Sequence, residues 1–417
     1  MRFRMDQFLL SLSAGLDAVE GELLGATTNH GKRVAILTTS MGRRLGWSED
    51  ELIGLAACSL LHDNALTEHY HAMLLGDLRG ESGRSHCIRG EENALQLPFP
   101  TDIRGLIKYH HEYSDRSGPF GRNAEEIPLG AQLMALAEDL DTHHNFHWQP
   151  DNLRDDLKEE ITRKRGSFYS VRSADAMLSV LDGELLDSLQ DANIDEAFNK
   201  LIPLWVVDKL PSEMLDIAKI VASIIDYKSK FTAKHSLQIA NRAFWMAHFY
   251  GYDRETCCQV YLAASFHDLG KLRVPTAILE KPGKLTEDEF QVIKNHVEWT
   301  YEMLENVEGF EDICRWATSH HRKLDGRGYP KLPDEYLELD FFSKMLTCID
   351  IYQAVRESRP YHDGRTHRQT MEIMWEMAGR GEIDRQITQD LDVEMARFDR
   401  GDGDAPSPQE AELIWTT

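Results

Sequence analysis

Apolar residues recur along most of this chain at intervals of three and four, the period of an α-helix with one buried face. The pattern is clear in residues 8–23 and 34–41, and it returns in residues 214–224. The alternation that is typical of strands is scarce. Two stretches, Ser48–Glu51 and Thr286–Glu289, match the capping box that begins many helices. We therefore predict an all-α protein.

Histidines occur at matching intervals in the two halves of the chain. Each half has one histidine pair 32 residues apart, a second pair 24 residues apart, and then adjacent histidines followed by an aspartate after 28 or 29 residues. The positions are His30, His62, His86, His110, His111 and Asp139 in the first half, and His235, His267, His296, His320, His321 and Asp350 in the second. This agreement predicts a duplicated helical domain, with copies at residues 1–205 and 206–417.

Composition narrows the classes of partner. The net charge of −24, from 46 basic and 70 acidic residues, argues against a protein that binds DNA or RNA polymers through their phosphates. No apolar run approaches the roughly 20 residues that cross a bilayer, and the amino terminus lacks the pattern of a secretory signal. We expect a cytoplasmic protein without a membrane partner. Its six cysteines include no CxxC pair, and we expect them to be reduced.

The repeated residues are typical metal ligands. Imidazole and carboxylate together bind divalent transition metals, and His62-Asp63 and His267-Asp268 place one of each side by side. The set in the second copy is too large for one four-coordinate zinc site. It suits two ions bridged by Asp268, an arrangement that activates water for hydrolysis.

Longer motifs in the second copy resemble a known family. His267-Asp268-Leu269-Gly270-Lys271, and the stretch from His320-His321 to Gly328-Tyr329-Pro330, are similar to the HD-GYP family of bacterial cyclic-dinucleotide phosphodiesterases. The similarity continues through residues 235–236, 278–286, Asp350 and residues 359–361, so that it covers essentially the whole second half.

The resemblance implies a role for each matching residue. One ion would be held by His235, His267, Asp268 and Asp350, and the other by Asp268, His296, His320 and His321. Asp268 and Lys271 would be catalytic, with the Lys271 ammonium on a phosphate oxygen. Substrate contacts would come from Lys271, Arg322, Asp325, Gly326, Gly328, Tyr329 and Pro330. The resemblance further implies two divalent ions, iron or manganese before zinc or nickel, cyclic di-GMP or 3′,3′-cyclic GMP-AMP as substrate, and association as a homodimer.

Two positions depart from the family pattern. Members with a third ion have glutamate four residues before the first histidine ligand, where this chain has Phe231. The glutamate that usually follows the histidine pair is Arg322. Arginine cannot accept a hydrogen bond from histidine or bind a metal, but it can reach a phosphate or a base.

The first copy resembles a degenerate member. It keeps His30, His62, Asp63, His86, His110, His111 and Asp139, which form a candidate second metal site. Leu66 stands where the lysine belongs, and the Gly-Tyr-Pro end of the loop is lost. We predict a regulatory or structural copy. The alternatives for the whole chain are another HD-type nucleotide phosphohydrolase, or a nucleotide-sensing module without catalysis.

Overall fold

The computed structural model describes residues 1–66, 84–144, 146–147, 152–208, 211–228, 235–330, 339–357, 364–398 and 405–410. These residues are mainly helical, which confirms the all-α prediction. The exception is a pair of three-residue strands, Arg2–Arg4 and Val206–Asp208, which form a two-stranded sheet that the sequence patterns do not predict.

The chain divides into two compact units. One unit comprises residues 4–207, and the other comprises residues 208–417 together with the first three residues. The helices of the first unit are Met5–Leu24, His30–Arg44, Glu49–Leu61, Ser85–Ala94, Leu129–His143, Leu153–Lys164, Val171–Val180, Gly183–Ser188 and Ile194–Leu201. Its core is built around the helix His30–Arg44, which packs against Glu49–Leu61 and Leu129–His143.

The second unit repeats this plan. Its α-helices are Pro211–Tyr227, His235–Phe249, Arg254–Phe266, Thr276–Leu279, Glu287–Lys294, His296–Leu304, Glu311–Ala317, Phe341–Arg356, His367–Gly379 and Arg385–Met395, with a 3-10 helix at Leu269–Arg273. His235–Phe249 and Pro211–Tyr227 pack against Arg254–Phe266, and the 3-10 helix packs against His296–Leu304.

Local sequence signals explain where several helices begin and end. Both predicted capping boxes are present, at Ser48 and at Thr286, each with its reciprocal pair of hydrogen bonds. One helix ends at Lys294 and another begins at His296, with Asn295 between them. His296 therefore stands at the first turn of a helix.

No helix among the described residues is long and apolar enough to span a bilayer. Phe231 and residues 359–361 lie outside the described residues, as does most of the acidic stretch near residue 402.

Candidate metal centres

Three histidines of the second unit are oriented in the same way by backbone carbonyls. Nδ1 of His267, His296 and His320 lies 2.7, 2.6 and 2.7 Å from the carbonyl oxygen three residues earlier. Because a carbonyl only accepts, each Nδ1 carries the proton and each Nε2 keeps a lone pair. The lone pairs face one buried cluster, the orientation that metal-ligating histidines need.

Asp268 lies at the centre of this cluster. Its Oδ1 is 3.3 Å from Nε2 of His296, and its Oδ2 is 3.2 Å from Nε2 of His267 and 3.8 Å from Nε2 of His235. Within the described part of the chain, Asp268 Oδ1 and His267 Nε2 are buried without a hydrogen-bond partner. Buried polar atoms are rarely left in this state, and a bound cation between them would satisfy both.

Asp350 joins the cluster from the helix Phe341–Arg356. Its two carboxylate oxygens lie 3.7 Å from Nε2 of His235 and 3.6 Å from Nδ1 of His321. The structure thus brings together the seven residues predicted as metal ligands in this copy, and six of them form two groups that could each hold an ion. One group is His235, His267 and Asp268, and the other is His296, His320 and His321.

Burial keeps most of these ligands in the form that binds metal. It lowers the pKa of His296 to about 4 and also lowers the pKa values of His320 and His321, so these rings are neutral at pH 7. For Asp268, burial would raise the pKa, but the charges of His267 and Lys271 outweigh it and lower the pKa well below its usual value. The centre therefore offers the neutral imidazoles of His296, His320 and His321 beside the ionised carboxylate of Asp268.

An outer carboxylate completes the environment of His235. Nδ1 of His235 lies 2.8 and 2.9 Å from the oxygens of Glu357, which fixes the ring with Nε2 inward. Carboxylate partners of this kind orient ligating histidines and increase their basicity. Sequence reasoning missed Glu357, because it lies beyond the helix that carries Asp350 and belongs to no motif.

Lys271 lies against the central carboxylate rather than free in the cleft. Its Nζ is 2.5 Å from Oδ2 of Asp268, and its side chain is 20% exposed. The 3-10 helix that carries it approaches the helix His296–Leu304 very closely, since a Cβ on Gly270 would lie 2.0 Å from the carbonyl oxygen of His296. Gly270 also donates its N–H to the Thr300 hydroxyl. Gly270 thus allows the close packing, and Lys271 places a positive charge beside Asp268.

The loop after the histidine pair lies beside the cluster at one end. The Tyr329 ring is 4.8 Å from the ring of His321, and Pro330 is buried. Gly328 has φ of 107°, and a Cβ there would lie 2.3 Å from the carbonyl oxygen of His321. Gly326 also has a positive φ, but its surroundings are open.

Asp325 and Arg322, two charged residues of the loop, were also predicted to contact substrate. The Asp325 carboxylate accepts hydrogen bonds from the backbone N–H and side chain of Arg327 in the same loop. Arg322 lines a small cavity together with Leu324, Thr347 and Glu382. The prediction that Arg322 and Asp325 contact substrate stays a prediction.

The first unit contains a similar cluster. Nδ1 of His62 and His110 faces carbonyl oxygens at 2.8 and 2.5 Å, so that their Nε2 atoms point inward. Oδ1 of Asp63 lies 3.6 Å from Nε2 of His86 and 3.7 Å from Nε2 of His110. In the described residues the inward atoms of His62, Asp63 and His110 are buried without hydrogen bonds. The first copy thus has its own arrangement for binding a cation.

The predicted ligand Asp139 is wrong for this cluster. Its carboxylate faces the other way, 3.1 Å from Nζ of Lys164 and hydrogen-bonded to the Tyr169 hydroxyl. The preceding residue, Glu138, takes its place, with Oε1 3.2 Å from Nδ1 of His111. Neighbouring residues on a helix point about 100° apart, so an error of one position in the repeat moves the side chain out of the site.

Two further carboxylates of the first copy were missed. Glu20 lies 3.5 Å from Nε2 of His30, and with His62 these residues form another group that could hold an ion. Asp141 lies 2.6 Å from Nδ1 of His30 and pairs with the buried Arg33. Although burial opposes it, the hydrogen bond to Asp141 and the charge of Glu20 raise the pKa of His30 to about 10. This carboxylate-rich pocket favours positive charge.

The loops of the two copies each place a glycine close to the carbonyl oxygen of the second histidine of the pair. A Cβ added at Gly118 would lie 2.4 Å from the carbonyl oxygen of His111. In the second copy, a Cβ added at Gly328 would lie 2.3 Å from the carbonyl oxygen of His321. In the first copy Glu112 stabilises the loop by accepting from the N–H groups of Phe120 and Arg122. Arg322, the corresponding residue of the second copy, cannot do this.

These features define a class of protein: a helical domain, present twice, with buried histidine–aspartate centres whose donor sets fit divalent transition metals. Comparison with known proteins agrees. HD-domain models match residues 27–143 and residues 219–387. The chain is a tandem HD-domain protein.

Individual relatives extend the comparison over most of the chain. The 3′3′-cGAMP-specific phosphodiesterase 1 of Vibrio cholerae is 29% identical over 369 residues, which are 86% of this chain and 85% of that protein. The cyclic di-GMP phosphodiesterase response regulator RpfG of Xanthomonas campestris is 31% identical over 38% of this chain and 43% of its own length. A crystal structure of a cyclic GMP-AMP-specific phosphodiesterase of V. cholerae covers 94% of this chain and 98% of that chain, with a TM-score of 0.66 and 23% identity, and it supports the fold.

Proposed function

We propose that residues 206–417 hydrolyse a bacterial cyclic dinucleotide to the linear dinucleotide in a metal-dependent reaction. The observation that carries this proposal is the position of Asp268, which lies within 3.8 Å of inward-facing nitrogens of His235, His267 and His296 and also contacts Lys271. A relative whose match spans 86% of the chain, and therefore includes these residues, is named a 3′3′-cGAMP-specific phosphodiesterase.

The donor set supports two divalent transition ions, iron or manganese before zinc or nickel. His235, His267, Asp268 and Asp350 would hold one ion, and Asp268, His296, His320 and His321 the other. When bound, such a pair supplies a nucleophilic water at neutral pH and offsets negative charge at phosphorus.

The residues of the chain have separate tasks in this proposal. Lys271 places a positive charge at the edge of the centre, where charge on a phosphate oxygen grows in the transition state. Tyr329 forms an aromatic wall beside His321, suited to packing against a flat nucleobase. Glu357 fixes the ring of His235, so it acts by positioning a ligand.

The substrate is 3′,3′-cyclic GMP-AMP or cyclic di-GMP. The relative that matches both copies is named for the first, whereas RpfG, which matches a shorter part, is named for the second. The extent of the match therefore favours 3′,3′-cyclic GMP-AMP as the first substrate to test. The first copy, without the lysine, is proposed to be regulatory or structural.

The test is product chromatography with both cyclic dinucleotides, on full-length protein purified without oxygen and analysed for metal. The double variant His267→Ala/Asp268→Ala should lose hydrolysis and part of its metal. The matched variant His62→Ala/Asp63→Ala, which makes the same change in the first copy, should keep the linear product. Hydrolysis that survives the first pair, or that is lost only with the second, would assign the reaction to a different centre.

A further inference from the structure

A buried thiol distinguishes the metal cluster of the first copy from that of the second. Cys87 follows His86 directly, whereas the corresponding residue after His296 is Val297, and both Cys87 and Val297 are 0% exposed. The Cys87 sulfur lies 3.3 Å from Nε2 of His86. The first copy therefore offers a ligand type that the second copy lacks at this place.

Three histidine side chains meet around this thiol. His86, Cys87, His110 and His111 each offer one ligand atom, and these four atoms lie within 4.8 Å of one another. The Nε2 atoms of His86 and His111 are 3.1 Å apart. Ligands at tetrahedral corners around zinc, with bonds of about 2.0 to 2.3 Å, lie about 3.3 to 3.8 Å apart. The cluster is close to the size of one such site.

His110 gives independent evidence of a ligand at this place. It is 0% exposed, and its Nδ1 is held by the carbonyl oxygen of Ile107 at 2.5 Å. Its Nε2 is buried, points into the cluster and has no hydrogen-bond partner among the residues that the structure describes. A lone pair in this state, beside a thiol and two further imidazoles, is suited to a soft or borderline cation.

We propose that His86, Cys87, His110 and His111 bind one zinc ion in a closed tetrahedral site. Thiolate together with imidazole selects zinc over the iron or manganese that histidine and carboxylate accommodate. Four protein ligands leave no position for a reacting water, so the site stabilises the first copy instead of catalysing hydrolysis. The inference concerns the first copy alone and does not depend on the reaction of the second.

Cobalt substitution of the full-length protein tests the thiolate directly. Co²⁺ bound at this site should give a thiolate-to-cobalt charge-transfer band in the near ultraviolet, together with intense tetrahedral ligand-field bands. The charge-transfer band should disappear in Cys87→Ala. It should persist in Cys58→Ala, which removes an equally buried thiol of the same unit outside the cluster. A missing band in the wild type, or an unchanged band in Cys87→Ala, would overturn the proposal.

Zinc content gives a second, independent measurement. In the His267→Ala/Asp268→Ala background, one equivalent of zinc should remain after dialysis and should fall in Cys87→Ala. If Cys87→Ala does not fold, X-ray absorption of the zinc-loaded parent decides the question, because a sulfur ligand should appear at about 2.3 Å. A zinc environment of nitrogen and oxygen alone would exclude Cys87.

Discussion

Lys271 and Leu66 occupy corresponding positions, four residues after the histidine of each His-Asp pair. In the second copy the lysine ammonium contacts the central carboxylate at 2.5 Å. In the first copy Leu66 is buried and carries no charge. The ion-pair partners described for Asp63 are histidines alone. At the residue scale, we expect this difference to help separate a centre that stabilises a reacting phosphate from one that binds a cation without catalysing hydrolysis.

Replacing Lys271 by alanine tests its electrostatic role. Loss of one preorganised positive group should lower kcat by about 100- to 1,000-fold, while the metal content stays unchanged because the histidine and aspartate ligands remain. Steady-state kinetics with elemental analysis measures both quantities. Lys284→Ala, which removes an exposed lysine, is the control. Full activity of Lys271→Ala would remove the lysine from the mechanism.

Mutation can test whether Glu138, and not Asp139, supports metal binding in the first copy. Glu138→Ala should reduce the metal that this copy binds, because it removes the carboxylate 3.2 Å from His111. Asp139→Ala should leave the metal content unchanged and lower thermal stability, because it removes the contacts with Lys164 and Tyr169. Elemental analysis and thermal unfolding distinguish the two variants. The reverse pattern would restore Asp139 as the ligand.

At the scale of elements, each centre depends on helix ends. His62 and His267 each follow the last residue of a helix, and His296 begins one. At these positions a histidine can donate Nδ1–H to a carbonyl three residues earlier and still direct Nε2 away from its own helix. Helix boundaries therefore decide where the ligands point.

Gly270 fixes the distance between two of these elements. In Gly270→Ala the new methyl group would meet the carbonyl of His296 and the backbone nitrogen of Thr300. The 3-10 helix would have to move, so we expect a loss of about 1–3 kcal/mol in stability and a larger loss of activity. Chemical unfolding and kinetics measure these effects. Gly379→Ala, where nothing lies near the added atom, should be nearly neutral; equal behaviour of the two variants would contradict the close packing.

At the scale of the whole molecule, the two units are not simply two halves of the chain. The first three residues belong to the second unit. Phe3 is 1% exposed, and its ring stacks on Phe310 at 4.8 Å. Phe310 is in turn 6.1 Å from Phe266, the residue before His267. The extreme amino terminus therefore contributes to the core beneath the candidate active centre.

Phe3→Ala should destabilise the second unit. Truncating a buried aromatic side chain costs about 3–5 kcal/mol, whereas Phe249→Ala, at a side chain that is 44% exposed, should cost much less. Hydrogen exchange should show the loss in the helix Arg254–Phe266. Unchanged protection of this helix in Phe3→Ala would show that the terminus is dispensable for the unit.

Much of this organisation could be predicted from the sequence. The helical period, the capping boxes at Ser48 and Thr286, and the intervals between histidines are local properties, so they survive without knowledge of the fold. The sequence also identified Asp268 and the six other side chains that the structure brings together with it in the second copy. Spacing sufficed there because each ligand belongs to a recognisable motif.

Tertiary structure alone decided the remaining partners. Glu20, Glu138 and Glu357 reach their histidines from other elements of the chain, and no motif marks them. Which of Glu138 and Asp139 faces the cluster depends on the rotation of the helix, about 100° per residue. The interval from the histidine pair to the aspartate differs by one residue between the copies, so counting residues cannot decide between the two side chains. The grouping of Cys87 with three histidines likewise depends on how the helices pack. His86 and Cys87 are adjacent in sequence, but they can bind the same ion only if the fold brings His110 and His111 close to both.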